Sequence, residues 1–160
     1  MDHAAASRLE DFVTGVIGRV DLRTGSAEFV NTGHVAPYLV RESRSVPLNL
    51  AVHLPLGLFT DTAYRTSRVE LQPGDRLVLL TDGVVERNAV GFDFPAAIEE
   101  TRALHPREAV RALADRVLHE TGNKLDDDVT LLCLDWHGGH GRSRYGHHGA
   151  ERNRASQPLA

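Results

Sequence analysis

Pattern alone places this chain in the α/β class, with a sheet that is mixed or antiparallel, and three observations carry that expectation. Two apolar runs stand far apart, Arg76-Leu77-Val78-Leu79-Leu80-Thr81 and Val129-Thr130-Leu131-Leu132-Cys133-Leu134. Runs this apolar read as strands buried on both faces, with a buried helix segment as the alternative that periodicity leaves open. Shorter strand candidates precede them, punctuated by glycine and proline turns. Two helical segments lie between the runs.

Taken in order, residues 1–11 form a short lead with no clear partner. Phe12 to Leu22 and Ala27 to Asn31 are strand candidates joined by a turn at Arg23-Thr24-Gly25. Tyr38 to Arg41 and Val46 to Val52 follow as short strands around a charged turn, Arg41 to Arg44. His53 to Ser67 is a loop containing Pro55 and Gly57, long enough to serve a function of its own. In Pro73-Gly74-Asp75 the proline presets φ and the glycine accepts the reversed one, so a turn feeds the strand that ends at Asp82.

Pro95 to Leu104 is the first helix. Pro106 to Thr121 is the second, with proline at the first helical position and Val110, Leu113, Ala114, Val117 and Leu118 at helical spacing. Gly122 and Asn123 end it as a C-terminal cap does. Residues 137–160 hold glycine, arginine, histidine and serine with almost no large apolar groups, and such a tail is expected to be disordered.

The 160 residues suffice for one hydrophobic core, and the hydrophobic and charged fractions are those of ordinary globular proteins. A net charge of −4 makes no electrostatic case for nucleic acid or an anionic membrane. No apolar stretch reaches transmembrane length, and the N-terminus lacks a signal-peptide core. The single cysteine, Cys133, can form no intramolecular disulfide, which fits a packing role and a reducing cytoplasm.

The candidate chemistry sits at the ends of the two apolar runs. The first leads into Asp82-Gly83-Val84-Val85-Glu86, and Asp126-Asp127-Asp128 opens into the second. An acid at the edge of a core is costly to keep charged unless something positive meets it. Neither motif core holds a lysine or arginine, which points to a shared divalent cation. Each motif alone has a plainer reading: Asp82-Gly83 as a turn after a strand, and Asp126 to Asp128 as a solvated acidic loop. Glu86 belongs on a helix after Asp82, where an acid complements the dipole.

His34 follows a glycine turn. A structural hydrogen bond within the hairpin is the favoured reading, and substrate contact the alternative. Arg65 and Arg68 flank the 53–67 loop, placed to meet a phosphorylated partner or simply solvated. The spacing of His137, His140, His147 and His148 matches no closed zinc site.

The same residues carry a family resemblance. Thr81-Asp82-Gly83-Val84-Val85-Glu86 and Asp127-Asp128-Val129-Thr130-Leu131-Leu132 resemble the last two signature blocks of the metal-dependent PPM-type serine/threonine phosphatases, in their bacterial SpoIIE-like branch. Phe12-Val13-Thr14-Gly15 with Asp21-Leu22-Arg23-Thr24-Gly25 resembles that branch's early hairpin, and Asn31-Thr32-Gly33-His34-Val35-Ala36-Pro37 its N-A-G-H-x-x-P turn. Leu54-Pro55-Leu56-Gly57-Leu58 and Leu71-Gln72-Pro73-Gly74-Asp75 resemble its P-L-G-L loop and L-x-P-G-D turn. The blocks occur in order from about Phe12 to about Trp136.

The family's opening G-G-D-x-x-D and D-x-x-G-H-G blocks, whose aspartates bridge two metal ions, have no counterpart between Met1 and Asp11. Residues 12–136 thus resemble the C-terminal part of such a domain. Asp135-Trp136-His137-Gly138-Gly139-His140-Gly141 mimics the second block but carries one residue too many and follows the last strand.

The resemblance implies an αββα sandwich of two antiparallel sheets flanked by helices. It implies Mn2+ or Mg2+, with Asp82 and Asp127 as ligands of one metal and Gly83 and Asp128 in support, and a metal-activated water in place of a serine or cysteine nucleophile. The implied substrate is a phosphoserine or phosphothreonine protein, typically an anti-anti-sigma factor. The competing expectation is a catalytically inactive binding module or a truncated fragment.

Overall fold

The computed structural model describes residues 12–81, 83, 92–120 and 128–139. Its elements are β1 (Val16–Val20), β2 (Ser26–Asn31), β3 (Tyr38–Arg41), β4 (Arg44–Pro47), β5 (Ser67–Glu70), β6 (Arg76–Leu80), α1 (Phe94–Glu100), α2 (Pro106–Glu120) and β7 (Leu131–Asp135). The strands form a three-stranded sheet in the order β1-β2-β5 and a four-stranded sheet in the order β4-β3-β6-β7. Every strand pairing is antiparallel.

Alternation along the strands decides which sheet faces which layer. In β2 the buried positions are Ala27, Phe29 and Asn31. Ala27 and Phe29 join Leu39, Leu77 and Trp136 in a core between the sheets. On the opposite face of the four-stranded sheet, Val40, Val78 and Leu80 pack against Phe94, Ala97, Ile98, Leu113 and Val117 of the two helices. The four-stranded sheet is therefore buried on both faces at its centre, which is why β6 is almost uniformly apolar.

Helix α1 starts where the Asp93 carboxylate accepts the backbone N–H of Ala96 at 3.0 Å, capping an otherwise unpaired donor. Helix α2 buries Ala109, Leu113 and Val117, a stripe at four-residue spacing. The Gln72–Asp75 turn closes with a 2.9 Å hydrogen bond from the Asp75 N–H to the Gln72 carbonyl. Gly74 takes φ +100°, as the third position of a type II turn requires.

Several expectations need correction. The two helical layers of an αββα sandwich are not both seen: among the described residues α1 and α2 both lie on the four-stranded sheet. Strand β7 is not buried on both faces. Among the described residues it is an edge strand, and Leu132 is 55% exposed. β1 begins at Val16 because Phe12 and Val13 leave the hairpin. Val13 instead exchanges hydrogen bonds of 2.9 and 2.8 Å with Leu56 of the long loop.

β4 runs over Arg44–Pro47 and stops short of Val52, at a proline that lacks the N–H to continue a ladder. β5 lies at the end of the expected loop, as a short partner on the free edge of β2. α1 ends at Glu100, short of Leu104. The lead 1–11, the helix cap at Gly122-Asn123 and residues 140–160 of the tail lie outside the described residues.

Candidate functional site

Because β6 and β7 are antiparallel, the C-terminal end of one meets the N-terminal end of the other. Their last ladder pair is Leu80 with Leu131. Just beyond it the Thr81 N–H donates to the Thr130 carbonyl at 3.1 Å, and the Thr130 N–H donates to Thr81 Oγ1 at 3.0 Å. Thr81 Oγ1 in turn donates to the Asp128 carbonyl at 3.1 Å. One hydroxyl thus pins the segment that precedes Asp82 to the segment that follows Asp127.

Asp82, Glu86, Asp126 and Asp127 themselves lie outside the described residues. Gly83 is buried and Asp128 is exposed. Among the described residues no group of three or more histidines, cysteines, aspartates or glutamates is placed to hold a metal ion. The donors that this end of the sheet can supply are carboxylate, hydroxyl and carbonyl oxygens, a set that suits Mn2+ or Mg2+ rather than a thiophilic ion.

A cleft of about 190 Å³ opens at the same end, where the two sheets part. Its walls are mainly aliphatic, from Val16, Val35, Pro37, Leu79 and Leu132, and its polar side chains are His34, Thr81 and Thr130. The His34 turn is held by buried Asn31: the Asn31 Oδ1 accepts the His34 N–H at 2.8 Å, and its Nδ2 donates to the His34 carbonyl at 2.9 Å. Gly33 adopts φ +79° in this turn, a conformation in which glycine has no side chain to clash. The His34 ring lies 3.4 Å from Thr14 Oγ1 through Nδ1. The imidazole thus has a contact with the segment before β1, and His34 also lines the cleft.

Two other arginine readings are narrowed. Arg68 pairs with Glu28 at 3.2 Å on the outside of the three-stranded sheet. Arg65 brackets the His53 ring through its backbone N–H and carbonyl, at 3.2 and 3.1 Å from Nε2. The look-alike stretch starting at Asp135 begins at the far end of β7, where Asp135 takes two hydrogen bonds from buried Arg76, at 2.6 and 3.1 Å. Burial pushes the Cys133 thiol above its ordinary pKa. That shift favours the thiol over the thiolate, the form that attacks as a nucleophile.

Sequence reasoning gave no role to Thr81, Thr130 or Thr14, although all three fall inside the quoted motifs. Their signal was position: Thr81 stands immediately before Asp82, and Thr130 two residues after Asp128.

The family model of stage II sporulation protein E (SpoIIE) matches residues 1–137. The chain belongs to the SpoIIE family, a bacterial branch of the PP2C-type phosphatase domains.

Among its relatives, the phosphoserine phosphatase RsbU of Bacillus subtilis is 29% identical over 129 residues, covering 77% of this chain and 38% of RsbU. The phosphoserine phosphatase RsbP of the same organism is 25% identical over 127 residues, covering 76% of this chain and 30% of RsbP. The chain therefore spans about a third of the length of these relatives. The phosphatase domain of SpoIIE from Bacillus subtilis, solved after presoaking in Mn, superposes with a TM-score of 0.62 at 18% identity, covering 82% of this chain and 59% of that one. At that identity the superposition shows a shared fold.

Proposed function

We propose that this chain acts as a Mn2+- or Mg2+-dependent phosphatase on a phosphoserine or phosphothreonine of a protein. The observation that carries the reading is the Thr81 clip, which joins the segments bearing Asp82 and Asp127 at one end of the β6–β7 ladder. Thr81 and Asp128, which the clip joins, are the immediate chain neighbours of Asp82 and Asp127.

In this reading Asp82 and Asp127 hold the divalent ion, with Gly83 and Asp128 in support. When bound, such an ion neutralises phosphoryl oxygens and acidifies a water, and a two-metal arrangement clamps the phosphate. The rest falls to the chain's own residues. β6, buried on both faces, fixes the point from which Asp82 departs. The Thr81 hydroxyl keeps the β7 side in register with it. The aliphatic walls of the cleft limit water beside the reacting ester.

Similarity to two phosphoserine phosphatases supports a phosphoprotein substrate. Within this branch an anti-anti-sigma-type regulator in the cytoplasm is the partner we propose.

The test is hydrolysis of a phosphoserine peptide by the purified chain with Mn2+, with Mg2+ and with chelator, beside Asp82→Asn and Asp127→Asn. The reading expects turnover that requires the metal and falls to background in both variants. Turnover that persists in either variant contradicts the assignment. A folded chain that binds the phosphopeptide without hydrolysing it would instead be a phosphatase-like binding module.

A further inference from the structure

We infer that His34 is a substrate-binding residue of this site, its Nε2–H donating a hydrogen bond to the phosphoryl group of a phosphomonoester seated in the cleft. The inference rests on the phosphatase reading and deepens it by naming a residue that meets the substrate.

Three observations converge on the imidazole. First, it shares the 190 Å³ cleft with Thr81 and Thr130, the residues that join the acid-bearing segments. Among the described residues no lysine or arginine lines that cleft, and its remaining walls are aliphatic. A phosphoryl oxygen entering it therefore has few donors to meet, and a hydrogen bond made in such surroundings is stronger than the same bond in water.

Second, the backbone of His34 is fixed beyond what a surface turn needs. Asn31 is 1% exposed and spends its side-chain amide on both backbone groups of His34. Thr32 is 0% exposed and ties the turn to Gly15 twice, through its N–H at 2.8 Å and its hydroxyl at 3.0 Å, both to the Gly15 carbonyl. Residues that hold a functional group in place are themselves locked by packing and hydrogen bonds.

Third, that same segment supplies Thr14, whose hydroxyl lies 3.4 Å from His34 Nδ1. In this proposal the Thr14 hydroxyl is the donor to Nδ1, which assigns the ring proton to Nε2 and that nitrogen to the ligand. No bond is made or broken in this step. The Nε2 proton stays on the ring and orients the ester.

The experiment measures equilibrium binding of a peptide carrying the non-hydrolysable phosphonate analogue of phosphoserine, in Mg2+, to the full chain and to its His34→Ala, His34→Gln and Thr14→Val variants. Loss of a hydrogen bond to a charged group predicts an affinity about 10- to 100-fold weaker in His34→Ala. Glutamine, which keeps a donor of similar reach, should recover part of that loss, and Thr14→Val should fall between. In the wild type, the Nε2–H resonance should shift on saturation with the peptide.

Unchanged affinity in folded His34→Ala, an Nε2–H signal that does not move, or a wild type that fails to bind the analogue would each overturn the inference. The two readings fail separately. Histidine-dependent binding without Mn2+-dependent hydrolysis of the phosphopeptide would keep this role for His34 and sink the phosphatase reading. Hydrolysis indifferent to His34 would do the reverse.

Discussion

The two ends of the β6–β7 ladder are ordered by different kinds of group. At one end Arg76 and Asp135 face each other directly across the strands, and the pair closes at 2.6 Å with Arg76 only 5% exposed. The same guanidinium donates to the carbonyls of Thr101 and Leu104, so it also anchors the end of α1. That hydrogen bond with Asp135 holds the Arg76 pKa above its ordinary value. Beside it, Arg41 forks onto Asp75 at 3.0 and 2.7 Å. At the other end the sequence places Asp82 and Asp126 to Asp128 with no arginine or lysine in either motif core. Here hydroxyls and carbonyls order the backbone. One end of the sheet is neutralised from within and serves stability; at the other we propose that a cation from outside does the neutralising.

Substitutions at each end should separate those two roles. Arg76→Ala removes the cation from a buried pair and strands Asp135 and two carbonyls, at an expected cost of about 3–5 kcal/mol in urea unfolding. Its Mn2+ affinity, measured below the unfolding transition, should be unchanged. Weakened Mn2+ binding in a folded Arg76→Ala chain would erase the distinction between the ends.

Thr81→Val should show the inverse pattern. Losing the clip costs stability only about 1 kcal/mol. Residues that orient metal ligands typically contribute about 10- to 100-fold to metal affinity, and calorimetric titration of Mn2+ should reveal a loss of that order. A variant with wild-type affinity would mean that the hydroxyl orders the strands and nothing more.

The smallest effect expected lies at the turn of the β3–β4 hairpin, on the Arg76–Asp135 side of the sheet. Its two turn residues, Glu42 and Ser43, have φ of 49° and 78°, the geometry of a type I′ turn without its preferred glycine. Ser43→Gly should raise stability by about 1 kcal/mol, seen as a higher melting temperature with activity unaltered. A lower melting temperature would show that the turn carries no strain.

How much of this was legible in the chain depended on where the deciding contact lies. β6 was readable because a central strand covered on both faces must be apolar throughout. β7 is just as apolar in composition, yet it sits at an edge. Nothing in Leu131-Leu132-Cys133-Leu134 says that no strand among the described residues lies beyond it. β5 was missed because Ser67-Arg68-Val69-Glu70 has one apolar residue, and its strand character comes from the exposed edge of β2.

The two aspartate motifs were visible as motifs. That they reach the same end of one ladder is a property of topology, since Thr81 and Asp128 are joined across 47 positions of chain. The cleft that His34 lines is assembled from β1, β6 and β7, a neighbourhood that no local pattern encodes. The buried Arg76–Asp135 pair, 59 residues apart, was hidden for the same reason.

The most direct test of the central claim is paramagnetic broadening by trace Mn2+ in a two-dimensional amide spectrum of the whole chain. The account predicts that Thr81, Asp128 and Thr130 lose intensity first, that Arg76, Thr101 and Asp135 keep theirs, and that the effect vanishes in Asp82→Asn. Broadening centred instead on the histidines beyond Trp136, or spread evenly over both ends of the ladder, would contradict it.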